Sequence, residues 1–147
     1  MRSAPSPPRW RLARSGYTPG HLPVLDADEA AQWAVDGRLI DVRTAERFRG
    51  DMEPIDPVSG HIPGSVNLPM ALLQHSDGTF RSAAQIRAEL AAIGVDPSAA
   101  LGTSCGSGVT ATQMTLALHQ ANIESVPYIG SWSEWITDPS RPVATGD

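Results

Sequence analysis

"ALGTSCGSGVTATQMTLALHQA", residues 100–121, decides how the chain is read. It opens on a short apolar run, passes through two glycines that flank Ser107, and continues into a periodic stretch. Met114, Ala117, Leu118 and Ala121 recur at i, i+3, i+4 and i+7, which is one face of a helix. The spacing predicts a buried strand over "ALGTS", a tight loop, then a helix. Cys105, the single cysteine, stands at the junction, at the strand's C-terminal end and just ahead of the helix N-terminus. Open parallel sheets place ligand sites beyond that edge.

Working outward, strand and helix signals alternate from Val24 onward. "PVLDADEAAQWAVDG" reads as a short strand and a helix, with Asp26 as N-cap, Glu29 as its capping-box partner and Gly37 as the stop. Ala30, Trp33 and Ala34 share one face of that helix. "RLIDV" is a strand ending at Asp41, and "TAERF" a helical turn. "RGDMEPIDPVSGHIPGS" is a loop punctuated by Pro and Gly. "VNLP" reads as a strand. "SAAQIRAELAAIG" is a helix with a Ser82/Gln85 capping box, an Ile86, Leu90 and Ile93 face, and Gly94 as terminator. "SVPYI" is a last strand and "SWSEWI" a short helix. This alternation predicts an α/β fold, a central parallel sheet with helices on both faces.

At 147 residues the chain is about one domain. A hydrophobic content of 41% and a charged content of 18% fit a globular core. The net charge of -5 argues against a nucleic-acid partner, because phosphates reward clustered Lys and Arg. No apolar run approaches the roughly 20 residues that span a bilayer, so no membrane partner is expected. One cysteine makes no internal disulfide, and His21, His61, His75 and His119 lack ligand spacing, so neither metal nor cofactor is expected. A lone thiol suits a reducing, cytoplasmic setting. The first twenty residues carry four arginines, four prolines and no acid. They read as a linker-like arm over 1–19, followed by one domain over 20–147.

Two readings of Cys105 stand on the residues alone. A free cysteine is often a small buried hydrophobe. Against that, the helix start offers unpaired N–H groups and the positive end of a dipole. Gly106 and Gly108 permit a backbone that curls N–H groups around an anion, and Ser107 and Thr110 add hydroxyls. A thiolate in that position is stabilised.

"CGSGVTA", together with "RFRG", "EPIDPVSGHIPGSVNLP" and "GSWSEW", resembles the C-terminal catalytic half of the two-domain rhodanese and mercaptopyruvate sulfurtransferases. The resemblance runs from about Pro19 to Val143. It implies a rhodanese-like domain whose cysteine takes sulfur from a donor, holds it as a persulfide, and passes it to cyanide or a thiol. By position, Cys105 becomes the nucleophile and Ser107 a second catalytic residue, beside the family's acid–base groups. Gly106, Ser107, Gly108, Val109 and Thr110 become the loop around the sulfur, Arg47 the ligand of the donor's anionic end, and Asp41 and Arg43 the braces of the site. By spacing alone Arg47 would instead pair with Glu46 or Asp51. The neutral Gly106 and Ser107 after the cysteine resemble the mercaptopyruvate type rather than the thiosulfate type. The family's N-terminal half is absent from the resemblance, so a homodimer or a partner domain is expected in its place.

The remaining expectations are structural. Trp132 and Trp135 pack in the core, His61 satisfies backbone groups between Gly60 and Pro63, and His119 lies too far along its helix to activate a thiol. "EPIDP" reads as a solvated loop. Gly102 stands where a bulky residue would strengthen the strand, so soft support for Cys105 is expected. A phosphatase would want an arginine six positions after the cysteine, where Ala111 stands.

Overall fold

The computed structural model describes Gly20 and residues 22–147; the predicted arm over 1–19 lies outside the described residues. The elements in chain order are α1 (Ala27–Val35), β1 (Leu39–Asp41), α2 (Ala45–Arg49), β2 (Val66–Asn67), a 3-10 turn (Met70–Leu73), α3 (Ala83–Ala92), β3 (Leu101–Ser104), α4 (Val109–Gln120), β4 (Ser125–Pro127) and α5 (Ser131–Trp135). The four strands form one sheet in the order β2-β1-β3-β4, and every pairing is parallel. The sequence-based architecture holds.

Successive residues of a strand face opposite sides of a sheet, and β1 shows it. Leu39 packs with Leu25, Ala30, Ala34, Trp132 and Trp135, the layer under α1 and α5. Ile40 packs with Ile86, Leu90, Met114 and Leu118, the layer under α3 and α4. Both capping boxes form. Asp26 accepts from the Glu29 amide while Glu29 reaches back to the Asp26 N–H, and Ser82 and Gln85 do the same on α3.

Trp132 and Trp135 are buried, each with its indole N–H satisfied, by the carbonyls of Val58 and Pro142. His61 is structural, but its partner differs from the expected one. Its ring stacks on Phe48 at 3.7 Å between centroids, and Nδ1 meets the Phe48 carbonyl at 2.7 Å.

The softness expected at Gly102 is corrected by packing. A Cβ there would meet Leu39 Cδ1 at 2.9 Å, Leu25 Cδ1 at 3.1 Å and Trp33 Cε3 at 3.2 Å. The missing side chain is what lets α1 and Leu25 close onto β3. On the other face, buried Thr103 bonds the Ala111 carbonyl at 3.1 Å and the Thr115 hydroxyl at 2.9 Å, pinning α4 to β3. The strand under Cys105 is thus held from both sides.

Candidate active site

In the order β2-β1-β3-β4, the chain leaves β1 for one edge of the sheet and returns at β3 for the other. Loops at such a switch point diverge and leave a crevice at the strands' C-terminal ends. The crevice here is a pocket of about 350 Å³. The segment after β1 supplies Val42, Arg43, Thr44 and Arg47, the following loop Ile55 and Asp56, and the segment after β2 Pro69, Met70 and Ala71. The segment after β3 supplies Cys105, Gly106, Ser107 and Thr110, and α5 supplies Ser133.

Cys105 is the pocket's only thiol and is 3% exposed. Its sulfur accepts the Gly108 N–H at 3.0 Å. Gly108 caps α4 with φ of 87°, the left-handed region, and a Cβ there would land on the Ile129 carbonyl oxygen. The glycine therefore sets both the turn and the donor. Thr110 sits in the first turn of α4, so the dipole's positive end faces the same space.

Ser131 is a site residue that the sequence reading missed. It is fully buried, has φ of 54°, and accepts the Cys105 amide N–H on its hydroxyl oxygen at 3.0 Å. Its hydroxyl proton has two acceptors in reach, the Tyr128 carbonyl at 2.8 Å and the Cys105 sulfur at 3.8 Å, and the shorter bond takes it. The Trp132 and Ser133 amides bond the carbonyls of Cys105 and Gly106 at 3.0 and 2.8 Å, locking α5 to the loop. The only local signal was a serine directly after Gly130, and a tertiary contact gives it meaning.

Arg47 reaches the loop: a Cβ on Gly106 would meet its Nη2 at 3.3 Å. It pairs with neither Glu46 nor Asp51. Its Nε and Nη2 donate to the two Glu53 oxygens at 3.2 and 2.7 Å, and Nη2 lies 3.6 Å from Asp56. "EPIDP" is accordingly not a solvated loop at its acids, because the Glu53 side chain is 2% exposed. Asp41 and Arg43 form a buried pair, with Arg43 Nη2 to Asp41 at 2.7 Å and to the Gly60 carbonyl at 2.8 Å. Arg43 Nη1 also meets Glu53 at 3.4 Å. Burial pushes the Glu53 carboxyl up, but the Arg47 hydrogen bond and the Asp56 and Ile55 amides outweigh it and hold it below the ordinary 4.5.

Of the predicted loop residues, Gly106, Ser107 and Thr110 line the pocket and Gly108 supplies its N–H. The Val109 side chain is a correction. It is 74% exposed and lies outside the lining, because it is the first residue of α4 and projects from the helix surface. Ala111 is fully buried, so no guanidinium stands where a phosphatase loop would need one.

A family model described as Rhodanese-like domain matches residues 26–138. The putative thiosulfate sulfurtransferase SseB of Mycobacterium tuberculosis is 42% identical over 127 residues, covering 86% of this chain and 44% of that protein. The probable 3-mercaptopyruvate sulfurtransferase of Pseudomonas aeruginosa is 49% identical over 112 residues, covering 74% of this chain and 39% of that protein. This chain thus spans less than half the length of the curated relatives it matches. A structure of EanB as a cysteine persulfide with ergothioneine aligns with a TM-score of 0.77 at 25% identity, over 84% of this chain and 32% of that one.

Proposed function

We infer the chemistry of this chain from one premise: it belongs to the rhodanese-like domain family. The reading is sulfur transfer. The Cys105 thiolate attacks the sulfur of a small anionic donor, the thiol sulfur of mercaptopyruvate or the outer sulfur of thiosulfate. The bond from that sulfur to the rest of the donor breaks, the enolate of pyruvate or sulfite leaves with its electron pair, and the sulfur stays on Cys105 as a persulfide. A thiophilic acceptor, a thiol or cyanide, then removes it. Two half-reactions through one covalent intermediate give ping-pong kinetics.

The observation that carries the reading is the seat of the sulfur. Cys105 Sγ meets a preorganised N–H at 3.0 Å, at the start of α4 and inside a pocket. Fixed donors of this kind stabilise charge on a thiolate or a persulfide without reorganising. The Gly106, Ser107 and Thr110 surfaces leave room for one more sulfur, and Val109 contributes through its backbone alone. Arg47 orients the anionic end of the donor, and the Ser107 hydroxyl at the mouth meets the departing group. Asp41 and Arg43 brace the wall. A thiol used this way suits a reducing cytoplasm.

Intact-mass spectrometry after incubation with mercaptopyruvate tests this, with Cys105→Ser as control. One added sulfur in the wild type alone is the expected result. No added sulfur from mercaptopyruvate or from thiosulfate would sink the reading of this chain as a self-sufficient catalyst.

A second reading has its own support. The relatives are more than twice as long as the region they share with this chain. Ile55 at the pocket, and Leu72 and Val109 one residue from its lining, are exposed apolar side chains. Such a rim suits a covering partner domain or a second copy, with this chain as a sulfur-relay module. Sulfur loading that appears only after a partner is added would favour it.

A further inference from the structure

Glu53 stands behind the pocket wall rather than in it. Its side chain is 2% exposed, and it is absent from the lining. Oε2 accepts Arg47 Nε at 3.2 Å and Arg43 Nη1 at 3.4 Å. Oε1 accepts Arg47 Nη2 at 2.7 Å and the Ile55 and Asp56 amides at 3.1 and 3.3 Å. One buried carboxylate therefore ties together both arginines of the pocket and the turn that follows it in the chain.

A guanidinium offers a carboxylate two forks, a side edge through Nε and one Nη, and an end edge through both Nη atoms. Glu53 occupies the side edge of Arg47. The end edge is left over. Nη1 makes no hydrogen bond among the described residues, and Asp56 Oδ2 lies 3.6 Å from Nη2, beyond hydrogen-bonding distance. That end lies over the cysteine loop, because a Cβ on Gly106 would meet Nη2 at 3.3 Å and Nη1 at 3.6 Å. Arg43 is committed elsewhere, to Asp41, the Gly60 carbonyl and Glu53. The lining thus holds two guanidinium groups against one carboxylate, Asp56, and a single fork turned toward the thiol.

We propose that Glu53 is a positioning residue for the anionic donor: by holding the side edge of Arg47, it turns the Nη1–Nη2 edge toward the Cys105 loop to receive the donor's charged end. The inference rests on the sulfur-transfer reading for its substrate. Glu53 touches no donor and acts through Arg47. A free arginine side chain samples many rotamers, and ordering it when the donor arrives costs affinity. Held by a carboxylate in advance, the fork is already in place. The charge of Glu53 works the other way, since a negative group behind the wall repels an anion. Orientation and charge therefore predict opposite effects when Glu53 is changed, which makes the two separable.

The test uses the full chain. Glu53→Asp keeps the charge but shortens the reach, so the side edge of Arg47 is released. Cys105 is alkylated by 3-bromopyruvate, which carries a carboxylate on an α-bromoketone, and by bromoacetone, its neutral counterpart. Each rate is divided by that on a free small thiol. The anion-to-neutral ratio should fall by about fivefold or more in Glu53→Asp. Loss of folding would change both rates together and leave no such selective fall. A second variant guards against a Glu53→Asp chain that does not fold. Glu53→Gln keeps the size, and its effect on the ratio should be at least about fivefold more adverse with Arg47 present than in the Arg47→Lys background, which has no fork to lose. In sulfur loading, Glu53→Asp should raise the mercaptopyruvate concentration for half-maximal rate by about fivefold or more. Emptying of the persulfide by neutral 2-mercaptoethanol should be unchanged. A ratio unchanged or raised in folded Glu53→Asp, or equal effects of Glu53→Gln in the two backgrounds, would overturn the proposal. Failure of the wild type to load sulfur strikes the transfer reading instead, because the alkylation ratio decides the role of Glu53 without any sulfur transfer.

Discussion

Gly108→Ala makes the sharpest demand on the cysteine loop. The residue has φ of 87°, so alanine there accepts the left-handed region at about 1 kcal/mol. The added Cβ would also land on Ile129 O, with Ile129 C and Cα at 3.1 and 3.2 Å. All three are backbone atoms, so no side chain can rotate away. Forcing a methyl group into such a contact costs about 1–3 kcal/mol. The sum is about 3 kcal/mol, or a melting temperature lower by about 10 °C for a domain of this size. Gly37→Ala is the matched control. Its φ of 69° carries the same backbone cost, but nothing lies within 4 Å of the new Cβ. It should lose only about 1 kcal/mol, about 3 °C. The functional cost is separate. Moving Gly108 takes its N–H from the Cys105 sulfur, now at 3.0 Å. In the sulfur transfer proposed above, losing a hydrogen bond to the attacking sulfur slows capture by about tenfold or more. Calorimetry on both variants and timed mass spectrometry on Gly108→Ala measure the two effects. If Gly108→Ala melted within about 2 °C of Gly37→Ala, the close approach to Ile129 would not be a real constraint.

Other expectations follow from the same contacts. Glu53→Gln leaves the buried guanidinium groups of Arg43 and Arg47 short of a counter-charge and should destabilise by about 3 kcal/mol at neutral pH. Since the folded Glu53 carboxyl is held below 4.5, its contribution is full above that value and lost as the pH falls below it. The gap between wild type and Glu53→Gln should therefore close in acid denaturation series below pH 4.5, and a constant gap would refute the pairing. Gly102→Val, which raises strand propensity, should nonetheless cost about 1–3 kcal/mol because Leu39, Leu25 and Trp33 already occupy the space. An equal or higher melting temperature would show that α1 can retreat freely. Ser131→Ala should cost about 1–3 kcal/mol by orphaning the Cys105 N–H. Ser131→Gly should cost about 1 kcal/mol less than that, because it relieves the φ of 54°. The reverse order in chemical denaturation would contradict this.

The legible part of the fold was the part written in local pattern. The Asp26–Glu29 and Ser82–Gln85 boxes, the Met114 to Ala121 stripe and the glycine stops at 37 and 94 each depend on residues a few positions apart. All appear where their spacing predicted. The site was legible in the same measure: Cys105 at a strand end, with glycines before a helix. The reading of "EPIDP" failed because exposure is not a property of composition. Prolines and acids describe a solvated loop until Arg43 and Arg47, from the segment after β1, arrive to bury Glu53.

By itself, the sequence determined the alternation of strands and helices, the parallel sheet, the position of the thiol and the family. Those follow from period, capping and turn chemistry, which act over a turn or two of chain. Tertiary structure alone decided which charges meet. The pairing of Arg47 with Glu53, the bond from the Ser133 hydroxyl to Asp56 and the hydroxyl of Ser131 beneath Cys105 join segments that the chain keeps apart. Coulomb and hydrogen-bond energies depend on distances of a few ångströms, and only the packing of the loops at the sheet's C-terminal edge sets those distances.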